Sequence, residues 1–192
     1  MLMAIFISGI QAQAATINII VNTNWSAITT GSGLGGQPSA ADFIIIKNDA
    51  ILTVDVSNAI CLQMEAGAAG ASNGEGTLAF NSGAILTIVD YFILGKNEPK
   101  NGSLDMTLGG TLKIGGAFTA PDLGTFTPGL GTIEYTGSSS QAILGTSALE
   151  NNYYNLSISG GNTKTLSDPI NVSGLVTVPT GNILASDGLL TL

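Results

Sequence analysis

The chain has no histidine, no arginine and a single cysteine among its 192 residues. Each absence excludes some chemistry. Without imidazole and with one thiol, a zinc site cannot be assembled from the usual ligands. A nucleophilic serine or cysteine would have no histidine to activate it. Cys61 cannot form an internal disulfide, and in the apolar run Ile60-Cys61-Leu62-Gln63-Met64 it reads as a small buried hydrophobe. All five basic residues are lysines (Lys47, Lys96, Lys100, Lys113 and Lys164), and the net charge is −8. Such a surface cannot neutralise a row of phosphates, so nucleic acid is not an expected partner. It also disfavours docking on anionic lipid. Charged residues make up 9% of the chain, against roughly 25% in an average globular protein. Surface polarity must therefore come from Asn, Ser, Thr, Gly and exposed backbone. No apolar run is long enough to span a bilayer as a helix.

The chain does hold 44% hydrophobic residues, 26 glycines and 6 prolines. This composition suits a foldable chain with many turns. At the N-terminus, an apolar stretch over 1–10 precedes Ala12-Gln13-Ala14, the small-x-small form of a signal-peptidase site. We expect 1–14 to be a signal peptide whose cleavage leaves Ala15 first. The usual positive segment before the apolar stretch is missing, so the start is expected to lie slightly upstream.

Beyond residue 10 the periodicity is that of strands. Runs of four to six residues rich in Ile, Val, Leu, Thr and Tyr are bounded by Gly-Gly, Asn-Gly, Ser-Gly and Asp-Gly pairs. The clearest cover 17–21, 43–47, 51–55, 60–64, 84–89, 91–94, 104–108, 111–114, 132–135, 153–158, 170–172, 175–178 and 189–192. One short helix is expected near 148–152.

A motif recurs within these runs. Ala50-Ile51-Leu52-Thr53-Val54-Asp55 returns as Ala84-Ile85-Leu86-Thr87-Ile88-Val89-Asp90, and variants begin at Gly110, Gly174 and Gly188. A strand unit recurring at about 25 residues with uneven loops is the mark of a solenoid, whose coils stack because none buries its own apolar face. The expected fold is all-β: a parallel, right-handed β-helix solenoid with an N-terminal cap. We expect 15–48 to form the cap and first coil, with Trp25 and Phe43 covering the open edge. Coils are expected over 49–192, truncated at the C-terminus because 189–192 ends inside a strand. An antiparallel sandwich is the competing arrangement, but it does not account for the repeated motif.

Candidate chemistry is sparse. Polysaccharide cleavage needs two carboxyl groups held close together, one with a raised pKa. The acids here are scattered singly. Asp55 and Asp90, which follow the same motif, are the best pair on offer, and turn residues closing strands explain them more simply. Asn73-Gly74-Glu75-Gly76 lacks the alternating acids of a calcium loop. Gly31-Ser32-Gly33-Leu34-Gly35-Gly36 lacks the lysine and helix of a phosphate cradle. No catalytic, cofactor-binding or metal-binding residue is expected, and no cofactor. Trp25, Tyr153 and Tyr154 are the candidate ligand contacts, as platforms for stacking on a sugar. Thr-x-Thr ladders of the ice-binding kind are not evident; Thr163-Lys164-Thr165 is the one case noted.

The order of segments resembles large secreted repeat proteins of Bacteroidetes-type bacteria. The likeness lies in Asp42–Asn48 followed by Ile51–Asp55, then Gly131–Ser138, Gln141-Ala142-Ile143, Tyr154–Ile158, Lys164-Thr165-Leu166, Ile170–Gly174 and Leu175–Val178. It covers most of 16–192, and its motifs are structural. The resemblance implies a parallel β-helix stalk at the cell surface, export by a terminal sorting domain outside this sequence, and a role in adhesion or gliding. The expected function is thus non-catalytic: a secreted structural or adhesive surface protein that partners with surface glycans or other surface proteins and associates end to end. A carbohydrate-binding or polysaccharide-cleaving β-helix is the alternative, and ice binding follows at a distance.

Overall fold

A computed structural model describes residues 13–67, 74–95, 101–121, 124–145, 152–166 and 168–192. The expected short helix at 148–152 falls almost wholly outside them. The chain visits three faces in rotation, beginning with β1 (Thr16–Ile19) and β2 (Thr23–Asn24). A loop with two short 3-10 turns replaces the third strand of this first round. There follow β3 (Phe43–Ile46), β4 (Ala50–Val54), β5 (Ala59–Cys61), β6 (Gln63–Ala66), β7 (Gly76–Phe80) and β8 (Ile85–Ile88). The rotation continues with β9 (Phe92–Leu94), β10 (Gly102–Asp105), β11 (Thr111–Ile114), β12 (Phe118–Thr119), β13 (Thr125–Thr127) and β14 (Thr132–Tyr135). Last come β15 (Gln141–Ile143), β16 (Asn155–Ile158), β17 (Thr163–Leu166), β18 (Ile170–Asn171), β19 (Val176–Thr177), β20 (Ile183–Ala185) and β21 (Leu190–Thr191).

Every pairing among these strands is parallel and joins a strand to its counterpart one round later. The first face is the five-stranded sheet β1-β3-β6-β9-β12, the second is β2-β4-β7-β10-β13, and the third is the six-stranded sheet β5-β8-β11-β14-β16-β19. A three-stranded sheet β15-β17-β20 and a two-stranded sheet β18-β21 then take the places of the first two faces in the rotation. The protein is therefore an all-β parallel solenoid. Hydrogen-bonded neighbours on successive rounds lie 20 residues apart at Asn155–Leu175 and 29 apart at Ser26–Asp55, which brackets the expected coil length.

The core follows from alternation. Each strand turns every second side chain inward, and the parallel register stacks these into files. On the second face Leu52, Leu78, Leu104 and Phe126 lie in register, all essentially inaccessible to solvent. On the third face Leu86, Leu112, Ile133 and Leu156 form one file and Ile88, Ile114, Tyr135 and Ile158 the next. On the first face Phe92 stacks on Phe118 with ring centroids 5.1 Å apart.

Three expectations are corrected. The run 60–64 is two strands, β5 and β6, because the chain turns a corner at Leu62, whose N–H donates to the Asp42 carbonyl. The repeated motif does not stack on itself throughout: its copy at Ala50–Asp55 lies on the second face and its copy at Ala84–Asp90 on the third. Its recurrence reflects what any half-buried strand needs rather than one fixed place in the coil. A second Thr-x-Thr, Thr125-Phe126-Thr127, forms β13.

The stack is not uniform. Among the described residues no ladder joins β12 to β15, and none joins β13 to the segment holding Tyr153, which bridges onward to Val172 instead. Two faces are thus interrupted at the same level, while the third runs through as β14-β16.

Candidate functional site

The three candidate ligand contacts take different positions. Trp25 opens a 3-10 turn (Trp25–Ala27) and is 2% exposed. Its indole is part of the core, and the neighbouring Ser26 is held by Asp55 through both its N–H (2.9 Å) and its hydroxyl (2.5 Å). Tyr153 is 1% exposed. Neither ring presents a face for sugar stacking, which corrects that expectation for both. Tyr154 is half-buried, and its carbonyl accepts the Gly174 N–H.

Tyr153 has a structural task at the interruption. The Leu144 N–H donates to Tyr135 Oη (3.0 Å), and Tyr153 Oη–H donates to the Leu144 carbonyl (2.6 Å). The two phenolic oxygens are 2.9 Å apart. Since the Tyr153 proton is committed to Leu144, Tyr135 must donate to Tyr153, and the ring closes with every polar atom satisfied. The two side chains thus replace the strand partner that the Leu144 backbone lacks there. Phe126 packs edge-on to Tyr153 at 5.9 Å. Burial pushes the Tyr135 phenol up to about 12 and that of Tyr153 well above its ordinary value, so both are neutral donors at physiological pH.

A second polar cluster spans the same level. Gln141, on β15, donates to the carbonyls of Ile114 (3.0 Å) and Gly116 (2.6 Å) and accepts the Gly137 N–H (2.7 Å). Lys164, its register partner on β17, is fully buried and donates to the carbonyls of Gly137 (2.7 Å), Gly161 (2.8 Å) and Ser139 (3.3 Å). Desolvation lowers the pKa of this ammonium. Lys164 thus ties the loops at Gly137, Ser139 and Gly161 together. Lys113 sits 3.1 Å from Glu134 on the adjacent strand, and Glu134 also accepts the Ser159 hydroxyl.

The acids are dispersed. Asp55 and Asp90 close strands on different faces, and Asp90 accepts from Gln63 Nε2 instead (2.8 Å). They form no catalytic pair, which corrects the one carboxylate pairing on offer. Burial would raise the Asp55 carboxyl, but the bonds from Ser26 outweigh it and hold it below its ordinary value. Of the Asn73–Gly76 turn, Asn73 lies outside the described residues; the Glu75 N–H donates to the Asp49 carboxylate (2.8 Å). Among the described residues no three His, Cys, Asp or Glu side chains gather as a metal site. None of their helices is long and apolar enough to cross a membrane. Cys61 is buried and free, and desolvation drives its thiol far above the usual range.

The sequence reading missed Asp42, which is fully buried. One carboxylate oxygen accepts the Ala15 N–H (2.7 Å), and the other accepts those of Ser32 and Ser39 (2.8 Å each). Burial raises its pKa, and the bonds from Ser32, Ala15 and Ser39 outweigh that to leave it below its ordinary value. It ties β1, the glycine-rich loop and β3 together. The loop lies beside the open edge of β5, where Trp25, Leu34, Gln37, Pro38, Val56 and Ile60 help line a shallow cavity of about 460 Å³.

Outward side chains form files of their own. On the second face Ile51, Thr77, Ser103 and Thr125 stand in register, with Thr53, Ala79, Asp105 and Thr127 beside them. The chemistry on display is therefore a wall of small hydroxyl and aliphatic groups, with its charged groups held by neighbours. The class defined is a parallel β-solenoid. Comparison with protein-family models, curated proteins and solved structures gives no match.

Proposed function

We propose that the chain is a non-catalytic structural or adhesive element of a secreted, cell-surface protein: a solenoid stalk or filament segment of the Bacteroidetes-type repeat adhesin kind. The observation that carries this reading is the use made of the polar side chains. Gln141, Lys164, Asp42, Asp55, Glu134 and the Tyr135–Tyr153 pair all bind neighbouring backbone or side chains across rounds, so they serve the integrity of a rod. The small-x-small site before Ala15 supports export. Surface glycans or other surface proteins are the partners that suit such a rod. Turnover of any member of a polysaccharide panel by the purified protein would sink this reading. Surface labelling of intact cells, against labelling only after lysis, tests the localisation.

A second reading has one observation in its favour. The in-register file Thr77, Ser103 and Thr125 makes a regular hydroxyl array suited to a flat carbohydrate surface. Pull-down on insoluble polysaccharides, with Thr77→Glu and Thr125→Glu as controls, separates the two. Retention that the substitutions abolish favours carbohydrate binding; a protein that never sediments with the polymer favours the plain rod.

A further inference from the structure

We infer that proteolytic removal of residues 1–14 completes the fold, by placing the new α-ammonium of Ala15 on the buried carboxylate of Asp42. This rests on the signal-peptide part of the reading above. The burial pattern changes at the expected cleavage site: Gln13 and Ala14 are exposed, Ala15 is partly buried against the core, and β1 begins at Thr16. The Ala15 nitrogen lies 2.7 Å from Asp42 Oδ1. Its carbonyl is fixed from the other side by the Phe43 N–H at 2.9 Å, so the nitrogen cannot drift from the carboxylate. The described donors to Asp42 are all uncharged: the backbone N–H groups of Ala15, Ser32 and Ser39 and the Ser32 hydroxyl. A fully buried carboxylate held by neutral donors gains most from one that carries a positive charge, since charge-assisted hydrogen bonds are about twice as strong as neutral ones.

The step balances simply. A peptidase adds water across the Ala14–Ala15 peptide bond. Ala14 leaves with the new carboxylate, and the Ala15 nitrogen takes up protons to become an ammonium at neutral pH. One N–H becomes three on the same atom, next to a charge already in place. The uncleaved chain thus makes the weaker version of this contact, and the cap of the solenoid tightens only after processing.

The pH dependence has a definite sign. An α-amino group has an ordinary pKa of about 7.7–8.0. Pairing raises it in the folded state, so the added stability is fully present below about pH 7.5 and is lost as pH rises through the raised value. Asp42 stays ionised throughout that window. The ionisable side chain that feels the Asp42 charge is the Cys61 thiol, which burial and that charge keep neutral. The strand β1 and the loop segment around Ser32 and Ser39 bring no ionisable side chain to this carboxylate.

The test compares the 15–192 chain with a free Ala15 amine and the same chain bearing an Nα-acetyl group. At pH 6 the free-amine form should melt about 3–6 °C higher, and the gap should close by about pH 10. In Asp42→Asn the gap should vanish. Equal melting of the two forms at pH 6, or a gap that survives Asp42→Asn, overturns the inference. Should Asp42→Asn fail to fold, the Ala15 amine is titrated by NMR in the unsubstituted protein: a pKa above about 9 supports the pairing, and an ordinary value near 8 overturns it. Intact mass of the exported protein tests the processing separately. A mature chain beginning elsewhere overturns the cleavage reading and, with it, the proposed role of the contact, whatever the melting shows.

Discussion

The rounds before β14 and those after it share one plan and fill it differently. In the earlier part the inward files are dense: Ile44, Ile46, Leu52, Leu78, Leu86, Ile88, Phe92 and Leu112 are all fully buried. In the last rounds Val176, Leu184, Leu189 and Leu190 are only partly buried, Leu175 is 64% exposed and Ile183 57%. Among the described residues two faces are interrupted between the parts, and only the third passes through. A solenoid is stabilised by each repeat and its nearest neighbours, with no global core to share the load. A round between two filled neighbours is therefore firm, whereas in a polypeptide ending at Leu192 the last rounds depend on one flank and on the side-chain ties at the interruption.

The largest expected contrast comes from emptying one leucine position in each part. Leu78→Ala, flanked in register by Leu52 and Leu104, should cost about 3–5 kcal/mol. Leu184→Ala, in β20, should cost under about 1.5 kcal/mol because little apolar area leaves water there. Chemical denaturation of both variants checks this, and similar losses would erase the distinction between the parts.

The tie itself comes next. Tyr153→Phe removes the donor to the Leu144 carbonyl and leaves a buried acceptor open, at a cost of about 1–3 kcal/mol. Tyr135→Phe removes the acceptor of the Leu144 N–H and leaves that donor open. Because the two hydroxyls form one ring, the double variant should lose less than the sum of the singles. Additive losses in a double-mutant cycle would show that the ring is not a unit.

The same pair predicts a sharp alkaline limit. Both phenols are raised by burial above the ordinary value of 10.0, Tyr135 to about 12. Their contribution is complete below pH 10 and is lost as pH rises toward 12, since only the unfolded chain releases those protons in that window. Cys61 acts in the same direction. Thermal melts from pH 8 to 12 should show stability falling steeply above 10, and less steeply when both tyrosines are phenylalanine.

The smallest expected effect concerns association. In a polypeptide ending at Leu192, the strands β19, β20 and β21 are each the last of their sheets and offer open ladder edges beside partly buried leucines. Such a polypeptide should self-associate weakly, and Leu190→Lys should reduce this. Sedimentation velocity at rising concentration is the check; a monomer unaffected by the substitution contradicts it.

Much of this architecture was legible in the sequence. Runs such as Phe43–Ile46 and Thr132–Tyr135 announce strands because β-branched and aromatic residues alternate with positions that tolerate solvent. The parallel solenoid followed from the recurrence of short strands between glycine pairs. Seven strands (β2, β7, β12, β13, β15, β17 and β20) fall outside the expected runs, and four of them were hidden for identifiable reasons. In β15 and β17 the inward positions hold Gln141 and Lys164, so the polarity of the pattern is inverted and no alternation is visible. In β7 glycine and alanine dilute the signal, and in β13 only Phe126 faces inward. The tyrosine ring was not legible, because nothing in the spacing of Tyr135 and Tyr153 says that both meet Leu144. Trp25 was offered both as part of a cap and as a sugar platform, and its burial in the core removes the second of these. Asp42 carried one usable sign: an acid directly before a run of four apolar residues, Phe43 to Ile46, at the start of a strand.

The central claim is that one stack contains a firm part and a looser part, joined through the third face and tied by side chains at the interruption. Native-state amide hydrogen exchange, resolved by residue, tests it most directly. The account predicts that amides of β4, β7, β8 and β11 exchange only through the rarest openings. Those of β17 to β21 should exchange through more frequent ones, and Tyr153→Phe should accelerate the second group alone. A single opening free energy shared by both groups, shifted equally by Tyr153→Phe, would contradict it.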